Sequence, residues 1–297
     1  MKVLVAGGTG FIGGALTGTL VKDGHQVRLL TRRPERVGPD AVRWDPEAGV
    51  VDRVGLAWAD AVVNLAGATI ARRWTPQVKR EIRASRVDAT QFLAIALATL
   101  SRPPQVLVSA SAIGYYGNHG DELVDETSPP GEDFLSQVTR DWESAAAPAS
   151  AAGIRVVLPR IGLVVAARGG LLAPLLPIFR LGLGGPLASG HQWWSWITLN
   201  DLAAAIAFAL RAEMLQGPVN AVAPHPVTNA DFASTLGRVL GRPAVIPVPG
   251  FALRLRYGEA VDGALLTGCR VSSARLVAAG FIFRSPELEP ALRSLLN

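Results

Sequence analysis

Short apolar runs alternate along the first half of the chain with stretches whose apolar residues recur at helical spacing. Six runs read as β-strands: Lys2 to Ala6, Gln26 to Thr31, Ala41 to Trp44, Ala61 to Leu65, Gln105 to Ser109 and Ile154 to Leu158. They are nearly continuous in apolar side chains, the pattern of strands covered on both faces by crossover helices. The expected fold is therefore α/β, a doubly wound parallel sheet. One long helix is expected from about Pro76 to Leu100 and another from Asp201 to Leu215. After Leu158 the regularity breaks, and the Gly- and Pro-rich pieces between Pro159 and Gly190 read as substrate-side insertions. From about Gly241, Pro243, Pro247 and Pro249 lead into helical patterns around Phe251 to Leu266 and Pro286 to Leu296, read as a small helical C-terminal lobe.

The first strand runs straight into Gly7-Gly8-Thr9-Gly10-Phe11-Ile12-Gly13, which places glycines at G-x-x-G-x-x-G spacing between a strand and a helix. A turn without Cβ atoms lets the backbone approach a pyrophosphate, while the free N–H groups at the start of the helix attract its charge. Gly7, Thr9, Gly10, Phe11, Ile12 and Gly13 are thus the expected cradle of a Rossmann dinucleotide site, the alternative being a plain tight turn. At the end of the second strand, where NAD-preferring proteins offer an acid to the ribose 2′-hydroxyl, the chain reads Thr31-Arg32-Arg33-Pro34. An arginine fork suits a 2′-phosphate, so the expected cofactor is NADP(H). The alternative for Arg32 and Arg33 is a pair of solvated loop arginines. The expected division is a cofactor domain over residues 1–160, to which 198–222 return, with 161–197 and 223–297 forming the substrate side and C-terminal lobe.

Composition narrows the classes. A chain of 297 residues that is 49% hydrophobic can bury a large core, which excludes disorder as its main state. The formal charge is +5, but no arginine run exceeds two residues, which argues against a nucleic-acid surface. The run Leu171 to Phe179 is far shorter than the ~20 apolar residues of a membrane span, and it holds two prolines and ends at Arg180. No membrane association is expected. A lone Cys269 forms no intramolecular disulfide, and the chain opens on a strand-like run with no leader pattern, so a cytoplasmic setting is expected. His25, His119, His191 and His225 have no paired-ligand spacing, so no metal site is expected.

Several segments in order, Gly7/Gly10/Gly13, Asn64-Leu65-Ala66-Gly67 and Ser109-Ala110-Ser111 to Tyr115-Tyr116-Gly117, resemble an extended short-chain dehydrogenase/reductase. Arg73-Trp74-Thr75, Glu81-Ile82, Ser85-Arg86, Gly190-His191-Gln192, Trp196-Ile197 and Gly250-Phe251-Ala252-Leu253-Arg254 narrow the resemblance to the atypical "epimerase family protein" subgroup with a C-terminal domain of unknown function. Arg270, Ala274-Arg275-Leu276 and Ala279-Gly280-Phe281 resemble that subgroup's tail, so the likeness spans essentially the whole chain. The resemblance implies that Thr31 and Arg32 hold the adenosine phosphate, and that Leu65, Ala66, Gly67 and Ser109 pass beside the cofactor. It also implies that Glu81 and Arg86 reach toward the crevice, and that Pro159-Arg160 abuts the nicotinamide, against the plainer readings of solvated helix charges and a strand terminator.

In the wider family a serine after the fifth strand binds the reacting oxygen, a tyrosine transfers the proton, and a lysine four residues on lowers the tyrosine's pKa. Ser111 matches the serine, but Asp133-Phe134-Leu135-Ser136-Gln137-Val138 puts Phe134 at the tyrosine position and Val138 at the lysine position. Phenylalanine has no proton to give, and valine carries no charge to stabilise a phenolate. Tyr115 and Tyr116 are candidates for a substitute hydroxyl, or else anchors of the loop. His191 is a candidate acid or donor, and Trp194 and Trp196, beside Trp193, are candidate pocket walls or inter-lobe packing. Two functions remain open: an NADP-dependent oxidoreductase or epimerase acting on an unknown small molecule near Ser111, and an NADP(H)-binding sensor that has lost the catalytic pair.

Overall fold

The computed structural model describes residues 1–296. Nine strands make one sheet: Lys2–Ala6 (β1), Gln26–Thr31 (β2), Val42–Asp45 (β3), Val50–Val51 (β4), Ala61–Asn64 (β5), Val106–Ser109 (β6), Ser111–Ala112 (β7), Arg155–Ile161 (β8) and Gly217–Ala221 (β9). Their order is β9-β8-β6-β5-β1-β2-β3-β4, with β7 continuing beside β8. All pairings are parallel except the β3–β4 hairpin. The chain leaves β1 toward β2 and β3 on one side and returns to β5, β6 and β8 on the other, so the switch of direction falls between β1 and β5. Open α/β sheets bind ligands at that point.

Apolar strands demand cover on both faces, and helices supply it. On one face Leu16 and Leu20 of helix Phe11–Lys22 and Leu202 and Ile206 of helix Leu199–Arg211 pack on Val3, Val5, Val63 and Val108. On the other, Leu93 and Leu97 of helix Val87–Ala98 pack against Leu4, Val62 and Leu107. A separate core gathers Phe179, Trp194, Trp196, Phe232, Leu236 and Leu292.

Several expectations need correction. The single helix from Pro76 to Leu100 is two, Pro76–Ala84 and Val87–Ala98. The break sits where the Ser85 hydroxyl donates to the Ile82 carbonyl and accepts from the amide of Ala68, which ties the joint to the loop after β5. Pro159 does not end a strand: β8 runs on to Ile161, with Pro159 registered on Val219 and lying opposite the interruption between β6 and β7. Proline fits inside a sheet only at such a gap in the ladder. The stretch from Pro159 to Gly190 is not all loop, since it holds Leu163–Val165, paired with Trp196–Thr198, and the helix Leu172–Arg180. The C-terminal part also packs on the sheet. Leu276 and Phe281 join the core of Leu215 and Val219, Arg275 donates to the carbonyls of Gln216 and Pro218, and buried Asp201 accepts the amides of Arg284 and Ser285. Among the described residues no helix is long and apolar enough to cross a membrane.

Candidate functional site

At the switch point the glycine turn meets the end of β5. Gly7 holds φ +76°, and a Cβ there would stand 2.8 Å from the Leu65 carbonyl carbon and oxygen. At Gly13 a Cβ would stand 2.1 Å from the Gly7 oxygen and 2.6 Å from Gly8 Cα. Neither position tolerates a side chain, because the atoms in the way are backbone. Gly10 is the N-cap of helix Phe11–Lys22 and supplies no capping side chain, and no acid lies in the first turn. The first amides of that helix therefore lack an intrahelical partner. Thr9 and Gly10 are exposed. Phe11 packs its ring over Gly169 and Gly170, where a Cβ would come within 2.6 and 3.2 Å of it, while Ile12 packs against the core beneath the turn. The cradle therefore has the shape and the donors that a pyrophosphate requires.

Thr31 ends β2, its hydroxyl accepting from the amide of Arg33 at 3.2 Å. Arg32 is exposed and pairs with Glu47 at 3.3 Å, while Arg33 is exposed and free of any ion pair among the described residues. Leu65, Ala66 and Gly67 leave β5 as a loop whose first turn is held by Asn64, which accepts from the Ala66 amide. The Asn64 side chain also donates to Thr90 and to fully buried Ser109. Ser109 is therefore a brace beneath the crevice floor rather than a surface ligand.

Arg86 is placed by the helix break. Its guanidinium backs onto Gly67, where a Cβ would lie 3.3 Å from it, donates to the Ile82 carbonyl and stands 5.2 Å from the Trp142 ring centroid. It makes no ion pair among the described residues, and burial lowers its pKa to about 10. A half-buried arginine without a counterion beside a phosphate cradle suits an anionic ligand group. Glu81 takes another direction, pairing with Arg72 and accepting from Gln77.

Ser111, by contrast, is committed inward. Its hydroxyl donates to Glu143 at 2.5 Å, and Glu143 takes a two-point grip from Arg160, with both contacts at 2.8 Å. Arg160 continues to the Tyr116 hydroxyl at 3.0 Å, and Tyr116 donates to Asn220 at 2.6 Å. Asn220 in turn donates to the carbonyl of Ser272 and, through its amide, to Glu126. Burial opposes the Arg160 charge, but the bonds and charge of Glu143 outweigh it and hold the guanidinium above its ordinary range. Burial raises the Tyr116 hydroxyl to about 12 against the pull of Arg160. Tyr116 is fully buried, so it is a structural link and not an open proton donor. Tyr115 stacks on Arg160, ring centroid 3.5 Å from the guanidinium carbon. Arg160 faces this network, not a free strand end.

Phe134 and Val138, the residues expected at the tyrosine and lysine positions, lie in an apolar cluster. Phe134 meets Trp74 edge to face at 5.3 Å, and Val138 is buried with Trp74, Ile82 and Ala260. Lys79 lies over the Phe134 ring at 4.9 Å while bound to Glu259, so its ammonium is already engaged. Putting a lysine back at 138 forces a charge into this cluster. Val138→Lys is expected to lower the unfolding free energy by about 2 kcal/mol, read by urea titration; an unchanged midpoint would mean that the side chain escapes to water.

Of the two readings open for Trp194 and Trp196, pocket wall or packing, the structure matches packing. Trp194 and Trp196 are buried in the second core, their indole N–H groups donating to the carbonyls of Leu265 and His225, and Trp194 meets Phe232 edge to face. His191 is exposed, and among the described residues its one hydrogen bond runs from its backbone amide to the Ser189 hydroxyl. Two residues that spacing alone did not single out hold the site: Glu143, at the end of helix Phe134–Ser144, and Asn220 on β9. The only sequence hint of Glu143 is an acid one position after Trp142 on an amphipathic helix, too common a pattern to be diagnostic.

Comparison with known proteins matches residues 3–221 to the NAD dependent epimerase/dehydratase family, and residues 248–295 to a domain of unknown function, DUF1731. The chain is 43% identical to the epimerase family protein Mb2239 of Mycobacterium bovis over 98% of its own length and 96% of the relative's. It is 42% identical to human epimerase family protein SDR39U1, with both chains fully covered. Among solved structures, that of human SDR39U1 (isoform 2) with NADPH superposes with a TM-score of 0.90 at 40% identity, covering 100% of this chain and 99% of that one.

Proposed function

Because the chain belongs to the NAD dependent epimerase/dehydratase family, we propose that it binds NADP(H) and serves as an oxidoreductase or epimerase of that family on a small-molecule substrate. The observation that carries the cofactor half is the bare backbone cradle of Gly7 and Gly13, one strand away from the Thr31-Arg32 end of β2. The human relative solved with NADPH supports the same choice. In this reading the amides of Phe11, Ile12 and Gly13 take the pyrophosphate, Thr31 and Arg32 take the adenosine 2′-phosphate, and Arg86 adds a charge beside Gly67. Residues 1–160 and 198–222 carry the cofactor, and 161–197 and 223–297 carry the substrate side.

When bound, a nicotinamide dinucleotide supplies or accepts hydride. The chain's own part is position and polarity. Ser111 is buried and spends its proton on Glu143, so it acts in this reading by holding the Glu143–Arg160 pair in place rather than by polarising a carbonyl. Phe134, Trp74 and Val138 keep water from the place where a tyrosine would stand in the wider family. A second reading, an NADP(H) sensor without turnover, is favoured by one observation: Val138 is buried in an apolar cluster beside Phe134, where neither side chain offers a proton or a charge.

Calorimetry tests the cofactor. Arg32→Ala is expected to weaken NADPH about tenfold to a hundredfold, the loss of a charge-assisted contact, while NADH changes little; equal losses for both would remove the 2′-phosphate assignment. Absorbance of NADPH with a panel of carbonyl and alcohol substrates then separates the two functions. Turnover that Ser111→Ala abolishes supports the enzyme, and tight binding without turnover supports the sensor.

A further inference from the structure

We propose that Glu47 sets how strongly the site prefers a 2′-phosphorylated dinucleotide, by holding a negative charge against Arg32. The inference rests on the reading of Arg32 as the 2′-phosphate ligand.

The observations are local. Asp45 ends β3, and its carboxylate accepts the amide of Ala48, while Gly49 adopts φ +65° to close the hairpin to β4. This turn stands Glu47 beyond the end of the sheet, next to the end of β2, where Arg43 of β3 is registered on Thr31. Glu47 Oε1 lies 3.3 Å from Arg32 Nη1, with the two side chains 83% and 62% exposed. Nothing else among the described residues pairs with either group. An exposed pair of this kind contributes little to folding, so the contact does not explain itself as a stability device.

The chemistry follows from charge. A phosphate oxygen bound to the Arg32 fork at about 2.8 Å sits on the same guanidinium that Glu47 touches. Either the carboxylate swings away and the ion pair is lost, or it stays and faces a dianion well inside the ~8 Å screening length of physiological salt. Both routes oppose a 2′-phosphate. A ribose 2′-hydroxyl suffers neither cost, and a carboxylate at this edge can accept a hydrogen bond from it, the role an acid plays in NAD-preferring sites. Glu47 therefore narrows the gap between the two cofactors that Arg32 opens.

The test is calorimetric titration of wild type, Glu47→Gln, Arg32→Ala and the double variant with NADPH, NADH and adenosine 2′,5′-bisphosphate. Glu47→Gln is expected to tighten NADPH and the bisphosphate about threefold to fivefold, the scale of one exposed charge pair, and to leave NADH unchanged or weaker. The gain should shrink at high salt and vanish in the double variant. Unchanged NADPH affinity, or equal tightening of NADPH and NADH, would overturn the proposal. So would weaker NADPH binding, because Glu47 would then be an orienter of Arg32 rather than a rival of the ligand. If Arg32→Ala discriminates between cofactors while Glu47→Gln does nothing, this proposal alone fails. If Arg32→Ala shows no discrimination, the cofactor reading falls with it.

Discussion

Glu143→Ala is expected to lower the unfolding free energy by about 3–5 kcal/mol, the cost of stranding one partner of a buried ion pair. Arg160 is 2% exposed and Glu143 11%, so water reaches neither group well enough to replace the other. With the carboxylate gone, the guanidinium keeps only the Tyr116 hydroxyl and the face of Tyr115, and the Ser111 proton loses its acceptor. Glu143→Gln keeps an acceptor for Ser111 but not the charge, and should recover only part of the loss. Glu143→Leu combined with Arg160→Met should cost less than the sum of the single changes, since no charge is then left unpaired. Guanidinium titration of these proteins reads all of this. A loss below about 1 kcal/mol for Glu143→Ala would mean that the pair is solvated, as exposed pairs are.

The second large effect is on binding. Gly13→Ala is expected to weaken NADPH by about a hundredfold or more. The added carbon meets the Gly7 oxygen at 2.1 Å and Gly8 Cα at 2.6 Å, so the turn itself must move. Moving it withdraws amides from the pyrophosphate, and two charge-assisted bonds at about 1.5–3 kcal/mol each already exceed two decades of affinity. Gly18→Ala, on the same helix but with nothing within 4 Å of its new carbon, provides the control. It should bind NADPH as the parent does and gain about 0.5–1 kcal/mol of stability from helix propensity. Wild-type affinity in Gly13→Ala would show that the phosphates lie elsewhere.

Much of the frame was legible in the chain. The apolar runs placed the strands within a few residues, because a strand buried on both faces must be apolar at consecutive positions. The bare strand-to-helix turn was legible for a similar reason: at Gly7 and Gly13 backbone stands where a Cβ would be, and the lack of one is written in the residue type. The helix break at Ser85 was not. Both flanking segments keep helical spacing, and the turn is made by a hydroxyl reaching the loop after β5, 17 positions away. Trp194 and Trp196 stayed open between two readings, since an aromatic run reads alike whether it walls a pocket or fills a core.

By itself, then, the amino-acid order determined whatever depends on near neighbours: the six apolar strands, where the glycine turn lies, and that Phe134 and Val138 carry no proton and no charge. Only the tertiary structure decided which polar groups are spoken for. Ser111 and Glu143 are 32 positions apart, Arg160 and Tyr116 are 44, and Tyr116 and Asn220 are 104. Hydrogen bonds are made at about 3 Å between groups that folding alone brings together, so neither the commitment of the serine proton nor the burial of Tyr116 has a local signature.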